Sequence, residues 1–339
     1  MPLSGRRAIY LDLNHWYALG DTLAGYPQRP EHAEVLRRLA ELVEQGRVMF
    51  PLSAVHYIEL AENPRDEYRQ RAAKVMALLS RFNAITCMSK IVDEELALAL
   101  NKRLGRPAFP VKVPKFGVGA WFALKGDSKG FRLTGGSAEG REQLEAELGI
   151  SIAALEDQIN AVAEYELLKQ PPKAYWDQIP DYDPYATRRL ADRQLADFNV
   201  MVHTLRTNDD VRSRPLDAIC ARQFLFEFGS NWIRALLNAG YSANRPAPLR
   251  SREALTEFLM SLPSRRVTTM MQWHYLKDVE RDWTINDLRD IAALAAAIPY
   301  CDVVVTDKKA WDAAVNRAHL DNEFNTVILR RLTDLVARL

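Results

Sequence analysis

Four acidic residues stand where a carboxylate can do chemistry: Asp12, Glu59, Asp290 and Asp307. Asp12 closes the apolar run AIYLD and Asp307 closes VVVTD, which puts each at the carboxyl end of a strand, the edge of an open α/β sheet where ligands bind. Glu59 falls about one and a half turns into the helical pattern AVHYIELAEN, entered from the run VMFPL through Ser53, a good N-cap. In WTINDLRDIAALAAA, Thr284 and Asp287 have the spacing of a capping box, and Asp290 lies one turn further on the same face. Carboxylates that converge on one sheet edge cannot all ionise without a cation, and oxygen-only ligands favour Mg²⁺ or Mn²⁺ over zinc. With a phosphate as partner, one or two such ions generate hydroxide from water, hold the phosphate in line and stabilise the leaving oxygen.

Spacing also separates acids that do not belong. Asp302 precedes Asp307 by five residues, about 17 Å along an extended strand, so it belongs to the opposite edge and reads as structural. His15 and His56 flank the acids, where proton transfer or phosphate contact competes with plain packing.

These positions depend on a sheet. Short runs, apolar on both faces, occur at Ala8–Leu11, Val48–Leu52, Ala84–Met88, Val303–Val305 and Val327–Leu329, as parallel strands covered on both sides require. Helical periodicity separates them at Glu31–Gln45, Ser53–Glu62 and Asp66–Phe82. From about Ser151 to Trp283 the apolar spacing is helical, in Ala186–Leu205, Leu216–Leu237 and Arg252–Leu262. An amphipathic helix over Asn286–Ala297, a helix through Trp311 and a terminal helix Leu332–Leu339 then surround the last two strands. The expected fold is α/β: a parallel sheet flanked by helices, its core built from residues 1–100 and 286–339, with a large, mostly helical insertion over 101–285.

Forty-five basic against 44 acidic side chains give a formal charge of +1, so any surface that attracts nucleic acid must be local. One candidate is Arg103–Ser137, which carries Arg103, Arg106, Lys112, Lys115, Lys125, Lys129 and Arg132 against Asp127 alone. Phe116, Trp121, Phe122 and Phe131 are interleaved there, so a flexible ribbon that tracks phosphates and stacks bases competes with a surface hairpin whose aromatics turn inward. Trp273, His274, Tyr275 and Lys277 suggest an aromatic and basic wall beside the site, against the commoner use of such aromatics as core. Cys87, Cys220 and Cys301 are odd in number and far apart, fitting neither a disulfide framework nor a zinc site. With no signal core and no membrane span in the sequence, a cytoplasmic protein is the expectation.

The segments YLDLN, SAVHYIE, DIAALAA and VVVTD together resemble the PIN-domain nucleases, in the large, divergent prokaryotic form. The resemblance covers about 100 residues. It implies a parallel sheet flanked by helices and Mg²⁺- or Mn²⁺-dependent cleavage of RNA. Carried over by position, it implies that Asp12, Asp290 and Asp307 bind metal, that Glu59 binds metal or orients water, and that Asn14, Thr306 and Asp287 support them. Lys112, Lys115, Lys125, Lys129, Arg132 and His15 are the expected substrate contacts. Leu13 departs from the commoner Thr or Ser after the first Asp, and the small toxin-type members lack an insertion of this size. RNA is a more natural partner than DNA on this resemblance, although nothing in the sequence recognises a 2′-hydroxyl. A toxin or defence setting would add an inhibitory protein partner, and a homo-oligomer is compatible with it. The competing reading is a catalytically inert PIN-like module that binds nucleic acid or protein. A haloacid-dehalogenase-type phosphatase would need a second Asp two residues after the first, where Asn14 stands.

Overall fold

The computed structural model describes residues 5–105, 112–128, 130–135, 137–171, 173–178, 183, 185–241, 248–277 and 282–339. The first part runs β1 (Arg7–Leu11), α1 (Leu13–Leu23), α2 (His32–Glu44), β2 (Val48–Met49), α3 (Ala54–Glu62), α4 (Asp66–Ser80), β3 (Asn83–Ile85) and α5 (Met88–Arg103). Next come β4 (Phe116–Val118), α6 (Ala120–Lys125), α7 (Ala138–Leu148) and α8 (Ile152–Lys169). The helices α9 (Ala186–Thr207), α10 (Asp209–Arg212), α11 (Pro215–Arg222), α12 (Gly229–Asn238), α13 (Arg252–Met260) and α14 (Pro263–Leu276) follow. The chain closes with α15 (Ile285–Ala297), β5 (Val303–Val305), α16 (Lys308–Trp311), α17 (Leu320–Phe324), β6 (Val327–Leu329) and α18 (Leu332–Val336).

Four strands form a parallel sheet in the order β2-β1-β5-β6, so the two ends of the chain meet in its middle. Ile9 pairs with Val303 and Leu11 with Val305, the register that brings the residues after both strands to one edge. Asp302 fixes that register from the other edge, since its carboxylate accepts the Ala8 amide at 2.7 Å. Its structural role is thus visible in a hydrogen bond.

Alternation along the strands builds two cores. Ile9, Leu11, Val303 and Val305 face α1, α2 and α4, while Ala8, Tyr10 and Val304 face α14 and α15. Each fully buried aliphatic contributes about 1.5–3 kcal/mol relative to exposure, so the two layers together hold the sheet against its backbone entropy. The insertion shares these cores: Leu168 of α8 joins the first, and Phe198 and Val202 of α9 with Val267, Met271 and Tyr275 of α14 join the second. A third cluster, centred on Leu96, Trp232, Phe258 and Leu262, lies between α5 and α11–α13.

The departures from expectation have local causes. The second strand stops at Met49 because Pro51 has no amide for the ladder, and Leu52 bridges Ala84 instead, exchanging bonds with Asn83 and Ile85 at 2.8 Å. A strand, β4, lies inside the basic stretch and pairs antiparallel with β3. The single helix expected over Leu216–Leu237 is two, separated by a π-helical turn at Gln223–Glu227. There the buried Gln223 amide bonds Thr269 at 3.0 Å and Gln272 at 3.3 Å, tying the turn to α14. The terminal helix ends at Val336.

Candidate active site

An open cleft of about 500 Å³ lies at the carboxyl edge of the sheet, lined by Asp12, Asn14, Glu59, Asp287, Asp290 and Asp307 among others. All four acids predicted to carry the chemistry, with Asn14 and Asp287, therefore share one cavity.

Two of the acids are placed by the same device. Asp12 ends β1 and caps α1, with Oδ1 accepting the Leu13 amide at 2.7 Å. Asp307 follows β5 and caps α16, with Oδ1 accepting the Lys309 and Ala310 amides at 2.6 and 2.8 Å. Each cap satisfies amides that a helix start would otherwise leave open, and each fixes its carboxylate's orientation. The Thr306 hydroxyl and the Asp307 amide also face Asp12 from the neighbouring strand and favour its ionised form. Thr306 is buried, so its support of Asp12 is built into the sheet.

Glu59 is positioned by α3, whose start is locked to β1 by His56. The His56 ring accepts the Ser53 amide on Nδ1 at 3.0 Å, so Nε2 carries the proton and donates to the Leu11 carbonyl at 2.9 Å. Burial pulls the pKa of His56 down to about 4 and keeps it neutral in that tautomer. Asp290 is carried by α15, whose Thr284 and Asp287 form the expected capping box.

The cleft holds two further acids' worth of charge beyond the four, from Glu62 and Asp287, and three cations: Arg188, Arg289 and Lys309. These sort the acids. Glu62 is bound by Arg289 at 2.5 Å and Asp287 by Lys309 at 2.5 Å. Among the described residues, Asp12, Glu59, Asp290 and Asp307 form no ion pair. Burial raises the pKa of Asp12 to about 6 and of Glu59 to about 7. It raises Asp290 to about 8, where the like charges of Asp12, Asp307 and Glu59 add to burial. Asp12, Glu59 and Asp290 thus resist ionising together, and a cation in the cleft would relieve them.

The donor set is all oxygen, the chemistry that suits Mg²⁺ or Mn²⁺. Among the described residues, no three His, Cys, Asp or Glu side chains are gathered tightly enough to enclose an ion by themselves.

Other expected contacts lie elsewhere. His15 is not among the residues lining the cleft: it is half-buried, its ring Nε2 has no hydrogen-bond partner among the described residues, and burial lowers its pKa to about 4. Lys112, Lys115, Lys125 and Arg132 also line no part of the cleft, and Arg106 and Lys129 lie outside the described residues. Lys115 pairs with Glu94, and Arg132 bonds Glu156 at 2.8 Å. The aromatics of that stretch divide, with Phe122 buried and Trp121 and Phe131 exposed.

Sequence reasoning missed Glu62, Arg289, Lys309 and Arg188. Glu62 is three residues after Glu59 on the same helical face, and Lys309 follows Asp307 by two, so both had a readable spacing. Arg188 had none, because only the packing of α9 brings it to the cleft. No family model, curated protein or solved structure matches this chain.

Proposed function

We propose that this protein is a divalent-metal-dependent nuclease of PIN-like type that hydrolyses phosphodiester bonds, with RNA as the leading substrate. The observation that carries the reading is the sorting of charge in the cleft: two acids have fixed cation partners, and the four without partners are those the resemblance assigns to metal. Asp12, Asp290 and Asp307 would hold the ion, with Glu59 as a further ligand or as the group that orients water. Bound there, Mg²⁺ or Mn²⁺ would activate water and neutralise the phosphate. The Leu13 amide holds Asp12 in place for that work, and Thr306 and the Asp307 amide favour its ionised form. Asn14, exposed at the rim, is placed to hydrogen-bond water or phosphate. Arg289 and Lys309 keep Glu62 and Asp287 neutralised, so that the excess charge is concentrated on the four.

The test is incubation with labelled RNA and DNA in Mg²⁺ or Mn²⁺, beside Asp12→Asn and Asp307→Asn. Wild type is expected to cleave, and each variant to lose more than the roughly 10–100-fold that removing an outer partner of a metal ligand costs. Cleavage that persists in both variants would sink the assignment. Absence of cleavage by wild type with either metal would favour the binding module.

A further inference from the structure

The carboxylate cleft is bordered by α9 at the start of that helix. Arg188, near the start of that helix, lines the cleft, half exposed and 3.9 Å from Glu62. Beyond it, a hollow of about 330 Å³ is lined by Asn199, Val202, His203 and Arg206 of α9 and by Asp282 and Trp283, so one carboxylate stands beside the path. Trp283 adjoins Thr284, itself a cleft residue, and is fixed against Phe198 of α9 with ring centroids 4.3 Å apart. Arg206 then leads into a pocket of about 530 Å³ between α9 and α14. Leu205, Leu276 and Trp273 give that pocket an apolar bed, and Arg206, Arg212 and Lys277 surround it. Its described lining includes no carboxylate. The Lys277 ammonium sits 3.8 Å from the Trp273 ring centroid, placing a cation beside the aromatic face.

Helical geometry relates the two ends. Arg188 and Arg206 are eighteen positions apart, about five turns, so they project from the same side of α9 about 27 Å from each other. A stacked strand advances 3.4 Å per nucleotide, so roughly eight nucleotides span that distance. An apolar bed with an indole and three cations complements a molecule that is flat and apolar in one part and anionic in the next.

We propose that the pocket between α9 and α14 is a docking site for single-stranded nucleic acid, taking a base on Trp273 and its phosphates on Arg206, Arg212 and Lys277. The strand follows α9 to Arg188 at the carboxylate cleft. Lys277 is exposed, so its ammonium can leave the ring for a phosphate as the base arrives. Arg212 already pairs with Asp209 on the surface of α10, and phosphate competes with that carboxylate for it. The docking site rests on the nuclease reading only for what happens at the cleft end of the strand.

The full chain is mixed in EDTA with fluorescein-labelled single-stranded RNA of four and of twelve nucleotides, binding is read by anisotropy, and the RNA is checked on a gel for integrity. The 4-mer fits the pocket alone, whereas the 12-mer reaches Arg188. Trp273→Ala is expected to weaken both by about tenfold, the scale of one lost base stack, with Trp273→Phe restoring most of it. Arg206→Gln with Lys277→Gln, two surface changes that spare the fold, should lower the magnitude of the logarithmic salt slope by about 1.4. Arg188→Gln should weaken the 12-mer only. Unchanged binding in the Trp273 and double variants would overturn the proposal, as would equal loss of both oligonucleotides in Arg188→Gln. Trp273-dependent binding of polyglutamate without binding of RNA would overturn it in favour of an acidic protein partner. Intact RNA after incubation with metal, beside this binding pattern, would refute the nuclease reading and leave the docking site standing.

Discussion

The sheet-edge cleft and the pocket between α9 and α14 are opposite in character. The cleft gathers six carboxylates and three cations, while the pocket presents three cations, an indole and no carboxylate among its described lining. A formal charge of +1 for the whole chain hides this division. The difference teaches that the two demands of phosphodiester hydrolysis conflict locally: groups that hold a metal repel the substrate that must reach it. On the proposed reading, attraction comes from another part of the surface, the insertion.

Proton linkage offers the largest effect by which to break the comparison. Asp12, Glu59 and Asp290, raised to about 6, 7 and 8, must lose protons to take a cation. Mn²⁺ affinity is expected to climb between pH 5 and pH 8, by up to about tenfold per unit for each proton displaced. Without metal the folded acids bind protons more tightly than the unfolded ones, so from about pH 4 to pH 8 stability falls as pH rises. Melting scans across that range, with and without Mn²⁺, check both signs, and a flat affinity profile would show that these acids are not the ligands. A smaller effect is expected of Thr306→Val, which removes the hydroxyl that faces Asp12 and favours its ionised form. It should lower Mn²⁺ affinity about 10–100-fold with the fold retained, as loss of an outer partner does. Calorimetry on the variant decides it, and unchanged affinity would mean that Asp12 needs no such support. The smallest belongs to Asp302→Ala. Losing its bond to the Ala8 amide should cost about 1–2 kcal/mol in urea unfolding and leave cleavage and metal binding unchanged. A loss of metal binding there would erase the distinction between the two sheet edges.

The edge was far more legible than the insertion. Strands apolar on both faces, each followed by a capping residue, announce themselves locally, and an acid in the cap position inherits a defined place at the sheet edge. Asp12 and Asp307 were readable for that reason, and Asp302 could be set aside by strand geometry alone. His15 and His56 were ambiguous because a histidine that packs or clamps a backbone carbonyl, as His56 does, and one that meets substrate have the same surroundings in sequence. Their burial decides, and burial is a tertiary property. The ion pairs of Lys115 and Arg132 were not readable because their acids lie 21 and 24 residues away, on α5 and α8. Arg188 reaches Glu62 across more than a hundred residues, through the packing of α9 against α15. Nothing in the local pattern carries that contact. The division of Leu216–Leu237 into two helices follows from the buried amide of Gln223, which periodicity does not register.

The central claim, that Asp12, Glu59, Asp290 and Asp307 form a divalent-cation site, is tested most directly by titrating the full chain with Mn²⁺ at pH 7.5, beside Asp290→Asn and Asp302→Asn. Saturable Mn²⁺ binding by wild type and Asp302→Asn, lost in Asp290→Asn, is the predicted result. Equal binding by all three proteins, or none by wild type, would contradict it.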